Sequence, residues 1–266
     1  MAIKIRKTGK TYFLDPYLKE ELDFDKERIK LDWDNWWIID GIEGSGKTTL
    51  ACSLAYYVDK KFTLSNVVWT GEEFEKAVKD VPKGTAIVWD EFALVGMSRD
   101  ALSNIQKIIM KKAMTIRDRN LEIFVIIPCI FELQNYFVQR ARGLIHTYTP
   151  DGISRGFWRL WHYDGKDLLY ENAKKRHTLY KKPRPDHSGT FTDTKGLFFD
   201  HKEYQKRKKN AVDSISHDGR RENKWKDQRD AGIVELRKCN FTQKQIGKVI
   251  GISQQRVANI LTHNPQ

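Results

Sequence analysis

Apolar and polar positions follow two patterns along this 266-residue chain. Short apolar runs bounded by turn residues are typical of buried strands, whereas apolar residues three or four positions apart are typical of helices. Strands are predicted at 36–40, 67–69, 85–91, 121–127, 143–148 and 156–163, and helices at 49–57, 72–79, 99–119 and 131–140. Strands that alternate with helices predict an α/β domain, with three layers around a mostly parallel sheet.

The regions on either side of this pattern have a different composition. Residues 1–32 are charged and mixed, and they predict only a short strand or helix at the edge of the core. From residue 166 onward, clusters of Lys and Arg interrupt any periodicity, so an extension and linker are predicted over 166–220. The first domain is therefore predicted over 1–165, with its core from about residue 33, and a small all-α domain over 221–266.

Helical periodicity returns near the end of the chain. The segment 241–261 resembles a helix-turn-helix, with Thr242 and Ser253 as suitable N-caps for its two helices. Gly251 suits the left-handed residue in the turn between them. The apolar positions expected to form the core of this segment are Ile246, Val249, Ile250, Ile252, Val257, Ile260 and Leu261.

A phosphate-binding loop is the most specific chemical motif in the sequence. Residues 41–49 match the pattern G-x-x-x-x-G-K-T, between a predicted strand and a predicted helix. Glycines let backbone N–H groups approach triphosphate oxygens, and the start of the helix adds positive potential. Lys47 is expected at the β- and γ-phosphates, and the Thr48 hydroxyl is expected to bind Mg²⁺. The residues predicted to bind ATP are Gly41, Glu43, Gly44, Ser45, Gly46, Lys47, Thr48 and Thr49.

Two acids end the predicted strand at 85–91 and form a second motif, of the Walker B type. Open α/β sheets bind ligands at the carboxyl ends of their strands, which is where Asp90 and Glu91 fall. Asp90 is predicted to hold Mg²⁺ together with Thr48, directly or through water. Glu91 is predicted to orient and deprotonate the attacking water, so Glu91 and Lys47 are the expected catalytic residues.

The groups that would complete an ATPase site are less clear in the sequence. The strand at 121–127 continues into Pro128 and Cys129, so the polar γ-phosphate sensor of related ATPases is missing or displaced. Positive charge that stabilises the transition state would come from an arginine, in a ring from the neighbouring subunit. The candidates are Arg117, Arg119, Arg140 and Arg142.

Charge is concentrated toward the end of the chain. Hydrophobic residues make up 40% and charged residues 31%, and the net charge is +12. Residues 201–266 carry 15 Lys and Arg against 7 Asp and Glu, which indicates a polyanionic partner. Double-stranded DNA is the expected partner, because the second helix of a helix-turn-helix enters the major groove. The predicted DNA contacts are Lys244, Gln254, Gln255, Arg256 and Asn259.

Cysteine usage and apolar run length set expectations about location. The three cysteines, Cys52, Cys129 and Cys239, are far apart, so neither a disulfide framework nor a metal cluster is expected. No run is long enough for a signal peptide or a membrane span. A reducing cytoplasm is therefore expected, which is the host cytoplasm if the protein is viral.

Residues 41–49 and 87–91 resemble the additional-strand catalytic-glutamate class of P-loop ATPases. The segment 90–148 resembles the FtsK/HerA-like branch, nearest to the Zot-like ATPases of phages and mobile elements. The resemblance covers residues 33–165 and implies a P-loop fold that uses ATP and Mg²⁺. It also implies a homo-oligomeric ring, a hexamer or pentamer, that moves along, packages or exports DNA.

Two other functions are compatible with the same motifs. The first is a DNA-binding regulator or replication factor in which ATP switches assembly without driving movement. The second is a small-molecule kinase, which Glu91 disfavours because it would activate water. No N-K-x-D motif occurs, which argues against a GTPase.

Overall fold

The computed structural model describes residues 1–5, 8–79, 81–90, 119–176, 180, 182–194 and 196–263. The chain divides into two compact units, Met1–Val212 and Asp213–Gln266. Of the helix predicted at 99–119, only Arg119 belongs to the described residues. In the part of the chain so described, no helix has the length and apolar character needed to cross a bilayer.

The first unit is built around a mixed sheet, in which the predicted mostly parallel α/β architecture is confirmed. The strands are β1 (Ala2–Lys4), β2 (Thr11–Phe13), β3 (Asn35–Gly41), β4 (Val67–Val68), β5 (Ala86–Trp89), β6 (Glu122–Ile126), β7 (Gly143–Tyr148), β8 (Phe157–His162) and β9 (His187–Thr190). Seven of them form this sheet among the described residues, in the spatial order β4-β5-β6-β3-β7-β8-β9. The pairs β7–β8 and β8–β9 are antiparallel, and the other pairs are parallel. The helices are α1 (Pro16–Lys30), α2 (Lys47–Val58), α3 (Gly71–Val78), α4 (Asn135–Arg140), α5 (Tyr163–Arg176) and α6 (His201–Lys238), the last of which extends into the second unit.

Strand β3 is the centre of this sheet, and all seven of its residues are buried. Successive side chains of a strand point to opposite faces, so its apolar residues serve two cores. Trp37 and Ile39 pack with α2 on one face. Trp36 and Ile38 pack on the other face, in the core that includes Phe137 of α4. The sheet is therefore covered on both sides, as the continuous apolar runs predicted.

The region before β3 contains more regular secondary structure than its mixed composition predicted. Strands β1 and β2 form a separate antiparallel pair. Helix α1 begins at Pro16, and the carboxylate of Asp15 accepts a hydrogen bond from the Tyr17 N–H at its start. Proline fits the first turn because that position needs no N–H donor.

Two predicted segments differ from the structure. Of the helix predicted at 131–140, only α4 is α-helical, and it follows a separate 3₁₀ turn at Ile130–Glu132. The predicted extension and linker at 166–220 contains α5, β9 and the start of α6. This segment also contributes Phe191, Phe198 and Tyr204 to the core on the α2 face, because its aromatic residues bury apolar area despite the basic clusters around them.

The second unit contains the end of α6 and two shorter helices, α7 (Gln243–Ile250) and α8 (Gln254–His263). Thr242 and Gln245 form a capping box at the start of α7. Gly251 follows α7 with φ 75°, in the left-handed region. The fully buried side chains of this unit's core are Ile233, Ile246 and Val257.

Val249 was expected in this core but is 68% exposed. Ile246 and Ile250, four positions apart on α7, both belong to the core, and Val249 lies beside the stripe that they form.

A buried ionic cluster lies where β3, β6 and β7 begin. Asp25 and Glu122 are fully buried, and Arg142 forms ion pairs with Asp25 and Glu21. The Asn35 amide donates to Glu122 Oε2 at 3.0 Å. Burial raises the pKa of Asp25, and raises the pKa of Glu122 well above its usual range. Arg142 therefore offsets the charge of a cluster in which two carboxyl groups, Asp25 and Glu122, are fully buried.

Arg142→Ala is expected to lower the free energy of unfolding by about 3–5 kcal/mol, because it leaves buried carboxyl groups without their cation. The measurement is urea unfolding followed by tryptophan fluorescence. Lys30→Ala is the control, since it removes an exposed ion pair with Glu27 on α1 and should cost less than about 0.5 kcal/mol. Equal losses in the two variants would contradict the assignment of Arg142 to the core.

Candidate functional site

The predicted phosphate loop connects β3 to α2 at the carboxyl end of the parallel strands. Three of its glycines have left-handed or related backbone conformations, with φ 138° at Gly41, 79° at Gly44 and 96° at Gly46. A Cβ on Gly41 would lie 2.1 Å from the Thr147 carbonyl oxygen of β7. The close approach of the two strands therefore requires glycine at this position.

Buried hydroxyl groups attach the loop to β7. The Thr147 hydroxyl donates to the Asp40 carbonyl oxygen at 3.1 Å, and its oxygen lies 2.6 Å from the Ser45 hydroxyl oxygen. Ser45 and Thr147 are both fully buried. These hydrogen bonds fix the curvature of the loop against β7.

Positive charge and backbone donors meet inside this curve. The Lys47 ammonium donates to the carbonyl oxygens of Gly41 at 2.7 Å and Ile42 at 2.9 Å. Helix α2 begins at Lys47, so the unpaired N–H groups of its first turn lie beside the loop. An anion at this position would meet both the ammonium group and the positive end of the helix dipole.

Asp90 directly follows β5 and is brought to the same place. It is 1% exposed, and its two carboxylate oxygens each lie 3.3 Å from the Thr48 hydroxyl oxygen. Strand β6 lies between β3 and β5, so the two groups meet across one intervening strand. A hydroxyl and a carboxylate beside a phosphate loop are hard oxygen donors, and this donor set fits Mg²⁺.

A cavity of about 520 Å³ opens in front of these groups. Its lining includes Lys47, Thr48, Asp90 and other residues of the phosphate loop, together with residues that sequence analysis did not assign to the site. The polar and charged residues among these additional ones include Arg155, Asp193, His201, Tyr204 and Lys208.

Two of the additional contacts reach the loop glycines. The Phe191 ring would lie 2.9 Å from a Cβ on Gly46, so this ring packs directly on the loop. The Arg155 guanidinium would lie 3.7 Å from a Cβ on Gly44, and it forms a 3.9 Å ion pair with Asp193. Arg155 is half-exposed, so it places an accessible cation beside the loop.

Tyr204 belongs to the first turn of α6 and closes the cavity at Asp90. Its hydroxyl donates a hydrogen bond to Asp90 Oδ2, and its side chain is buried. Burial, and then the negative charge of Asp90, raise the pKa of Tyr204, so the phenol stays protonated and remains a donor. The sequence signal was the cluster of aromatic residues at 191–204, which is unusual for a solvated linker.

Three of the four arginines proposed from sequence lie elsewhere. Arg140 pairs with Asp34 and Arg142 with Glu21 and Asp25, just before β7 begins. Arg119 precedes β6 in the same way. All three are at the amino end of the parallel strands, opposite the phosphate loop, so the structure does not bring them to the site of their own subunit.

Two other predicted residues, Glu91 and Arg117, lie outside the described residues. Glu43 is exposed on the loop, and Thr49 lines the cavity with it. The strand β6 leads to Pro128, whose carbonyl oxygen accepts a hydrogen bond from the Gly41 N–H at 3.3 Å.

The residues predicted to contact DNA are on the surface of the second unit. Lys244 is exposed on α7. The other four are exposed on α8, and these are Gln254, Gln255, Arg256 and Asn259. Ser253 Oγ accepts a hydrogen bond from the Arg256 N–H at 3.3 Å, so the start of α8 is capped as the sequence predicted.

Comparison with known proteins finds a distant likeness to solved structures. No protein-family model and no curated protein sequence matches the chain. A solved structure to which it is similar is the N-terminal domain of zonular occludens toxin from Neisseria meningitidis, at 13% identity and a TM-score of 0.38. The match covers 62% of this chain and 97% of that domain.

Gly41→Ala is expected to lower the free energy of unfolding by about 2–4 kcal/mol, from backbone strain and the clash with Thr147. Chemical denaturation of both variants measures this difference. Gly71→Ala is the matched control, because a Cβ there meets nothing within 4 Å. That position begins α3, where alanine should change stability by less than about 1 kcal/mol. Similar losses in both variants would show that the contact with β7 is not the constraint.

Proposed function

We propose that the first unit hydrolyses ATP in the presence of Mg²⁺. The observation that carries the proposal is the position of Asp90, whose carboxylate lies 3.3 Å from the hydroxyl of Thr48, 42 residues away, directly beside the phosphate loop. A phosphate loop alone supports nucleotide binding. The added carboxylate gives the site an anionic ligand for the metal that accompanies a triphosphate.

The order of the strands supports the same proposal. The P-loop strand β3 and the Asp90 strand β5 are separated by β6, which is the additional strand that gives the ATPase class its name. In this interpretation the loop N–H groups and Lys47 bind the phosphates, while Thr48 and Asp90 hold Mg²⁺. When bound, the ion neutralises charge on the phosphates. Glu91, next to Asp90 in sequence, is assigned to orient and deprotonate water.

Among the described arginines, Arg155 takes the place of those proposed from sequence as the one that lies beside the loop. Its guanidinium faces Gly44 and is held by Asp193 at the long distance of 3.9 Å. A guanidinium in this position can turn from the carboxylate to a phosphate, because each of these anions can accept two of its N–H groups at once. We assign it to the triphosphate.

The second unit is assigned to double-stranded DNA. Gln254, Gln255, Arg256 and Asn259 are exposed on α8, and residues 201–266 carry most of the basic excess of the chain. Gln and Asn suit adenine edges, Arg suits guanine, and Lys244 suits a phosphate. Together the two units support an ATP-driven DNA motor of the translocating or packaging type, acting as a ring of identical subunits.

Lys47→Ala and Glu91→Gln are expected to reduce DNA-stimulated ATP hydrolysis by at least about 100-fold, because each removes a group assigned to transition-state charge or water activation. The measurement is the release of phosphate with double-stranded DNA, single-stranded DNA and no DNA. Lys83→Ala is the control, since this exposed lysine pairs with Asp32 away from the cavity.

ATP hydrolysis that persists in both variants would contradict the assignment of the first unit as an ATPase. A mass measurement with ATP bound gives the number of subunits in the ring. Tight, ATP-dependent DNA binding with turnover too slow for movement would instead favour the ATP-switched regulator.

Arg256→Ala is expected to weaken binding to a specific DNA site by about 1–3 kcal/mol, which is roughly 5- to 150-fold. Thr262→Ala is the matched control on α8, where the hydroxyl donates only to the Ala258 carbonyl oxygen. Fluorescence anisotropy at several salt concentrations measures both affinity and its salt slope. Point variants are preferred to truncation at 220, because that cut falls inside α6.

A further inference from the structure

The Tyr204 hydroxyl contacts the group that is assigned to bind the metal. It donates to Asp90 Oδ2, and the Thr48 hydroxyl lies 3.3 Å from the same oxygen. Both metal-binding groups therefore converge with the phenol at one point in the cavity. Tyr204 therefore makes a specific polar contact with Asp90 in addition to filling space with its ring.

The surrounding contacts show how the phenol is held there. Its ring packs against Trp69, with 5.7 Å between the centroids, and stacks on Phe199 at 5.9 Å. The carboxylate of Asp200 caps α6 by accepting hydrogen bonds from the N–H groups of Lys202 and Glu203. The first turn of α6 is thus built to present Tyr204 to Asp90.

A metal ion and the phenol compete here for one position. A carboxylate has about four lone-pair positions, so a single hydrogen bond from Tyr204 does not by itself exclude a cation. The Tyr204 hydroxyl, however, bonds to Asp90 Oδ2 and also reaches the Thr48 hydroxyl, and these are the two groups that would hold the ion. Binding of the metal between Thr48 and Asp90 and the contact with Tyr204 are therefore in competition.

We propose that Tyr204 is an autoinhibitory group, whose hydroxyl must leave Asp90 before Mg²⁺ and ATP bind productively. This inference rests on the proposed function, since it concerns the regulation of the same site. It makes the first turn of α6 a sensor of the metal, because that turn loses its hydrogen bond to the sheet when the site fills. Arg207, which donates to the Leu64 carbonyl oxygen at 2.8 Å, keeps the following turn attached.

The test uses Tyr204→Phe in the full chain, which removes the hydroxyl and keeps the ring. Binding of a non-hydrolysable ATP analogue is titrated by calorimetry over a series of Mg²⁺ concentrations. The Mg²⁺ concentration at half-maximal binding should fall by about 10- to 100-fold, the value of a hydrogen bond to a charged group. Tyr170→Phe is the control, because this buried phenol donates to the Leu133 carbonyl oxygen on the other face of the sheet and should leave the midpoint unchanged.

A second measurement uses the unchanged protein. Amide hydrogen exchange at residues 201–205 should rise when the analogue is added with Mg²⁺ and stay constant when it is added with a chelator. An unchanged or higher Mg²⁺ midpoint in Tyr204→Phe, or exchange that ignores the metal, overturns the proposal. A higher midpoint would mean that the phenol orients Asp90 for the metal.

The chelator arm separates this proposal from the assigned function. Nucleotide that binds without metal, combined with no shift in the Mg²⁺ midpoint, would refute the role of Tyr204 and leave the phosphate loop intact. Absence of nucleotide binding under all conditions would refute both.

Discussion

The close approach of β3 and β7 at Gly41 is the contact on which the site depends. The Thr147 carbonyl oxygen occupies the space that any larger residue would need. Asp40 extends this contact, because its carboxylate accepts from the Ile130 N–H at 3.0 Å and lies 2.8 Å from His146 Nδ1. One buried acid thus connects the phosphate loop with the 3₁₀ turn after β6 and with the strand β7. The loop inherits its shape from this junction.

Charge is distributed differently at the two ends of the parallel strands. At the amino end, Arg142 forms ion pairs with Glu21 and Asp25, and the Asp25 carboxylate is fully buried. At the carboxyl end, Lys47 and Arg155 face a cavity that a ligand can enter. Cations of the same chemical type therefore stabilise the fold at one end and serve binding at the other.

Local sequence patterns predicted the elements that depend on near neighbours in the chain. Strand β7 has the predicted bounds, and the Thr70 hydroxyl caps α3 by accepting from the Glu73 N–H. The phosphate loop could also be predicted from the sequence, because its glycines and Lys47 fall within one short segment. The strand ending at Asp90 could be placed beside it, since parallel strands end at a common edge.

The missed features depend on partners that are distant in sequence. Arg142 was predicted to serve the ATPase site, but its guanidinium forms ion pairs with Glu21 and Asp25 of α1. Tyr204 lies among lysines and arginines that suggested a solvated linker, and its role depends on a contact with Asp90. Periodicity reports which residues are buried, but it does not report what a buried hydroxyl or guanidinium contacts.

The packing of Phe191 on Gly46 has a consequence for how the protein is made. The phosphate loop leaves the ribosome early, whereas the ring that covers it and the phenol of Tyr204 are among residues synthesised much later. In the nascent chain, the phosphate loop therefore lacks its contacts with Phe191 and Tyr204 until the start of α6 has been synthesised. The walls of the cavity close only at that stage, so the complete site is a late product of synthesis although its most recognisable motif is an early one.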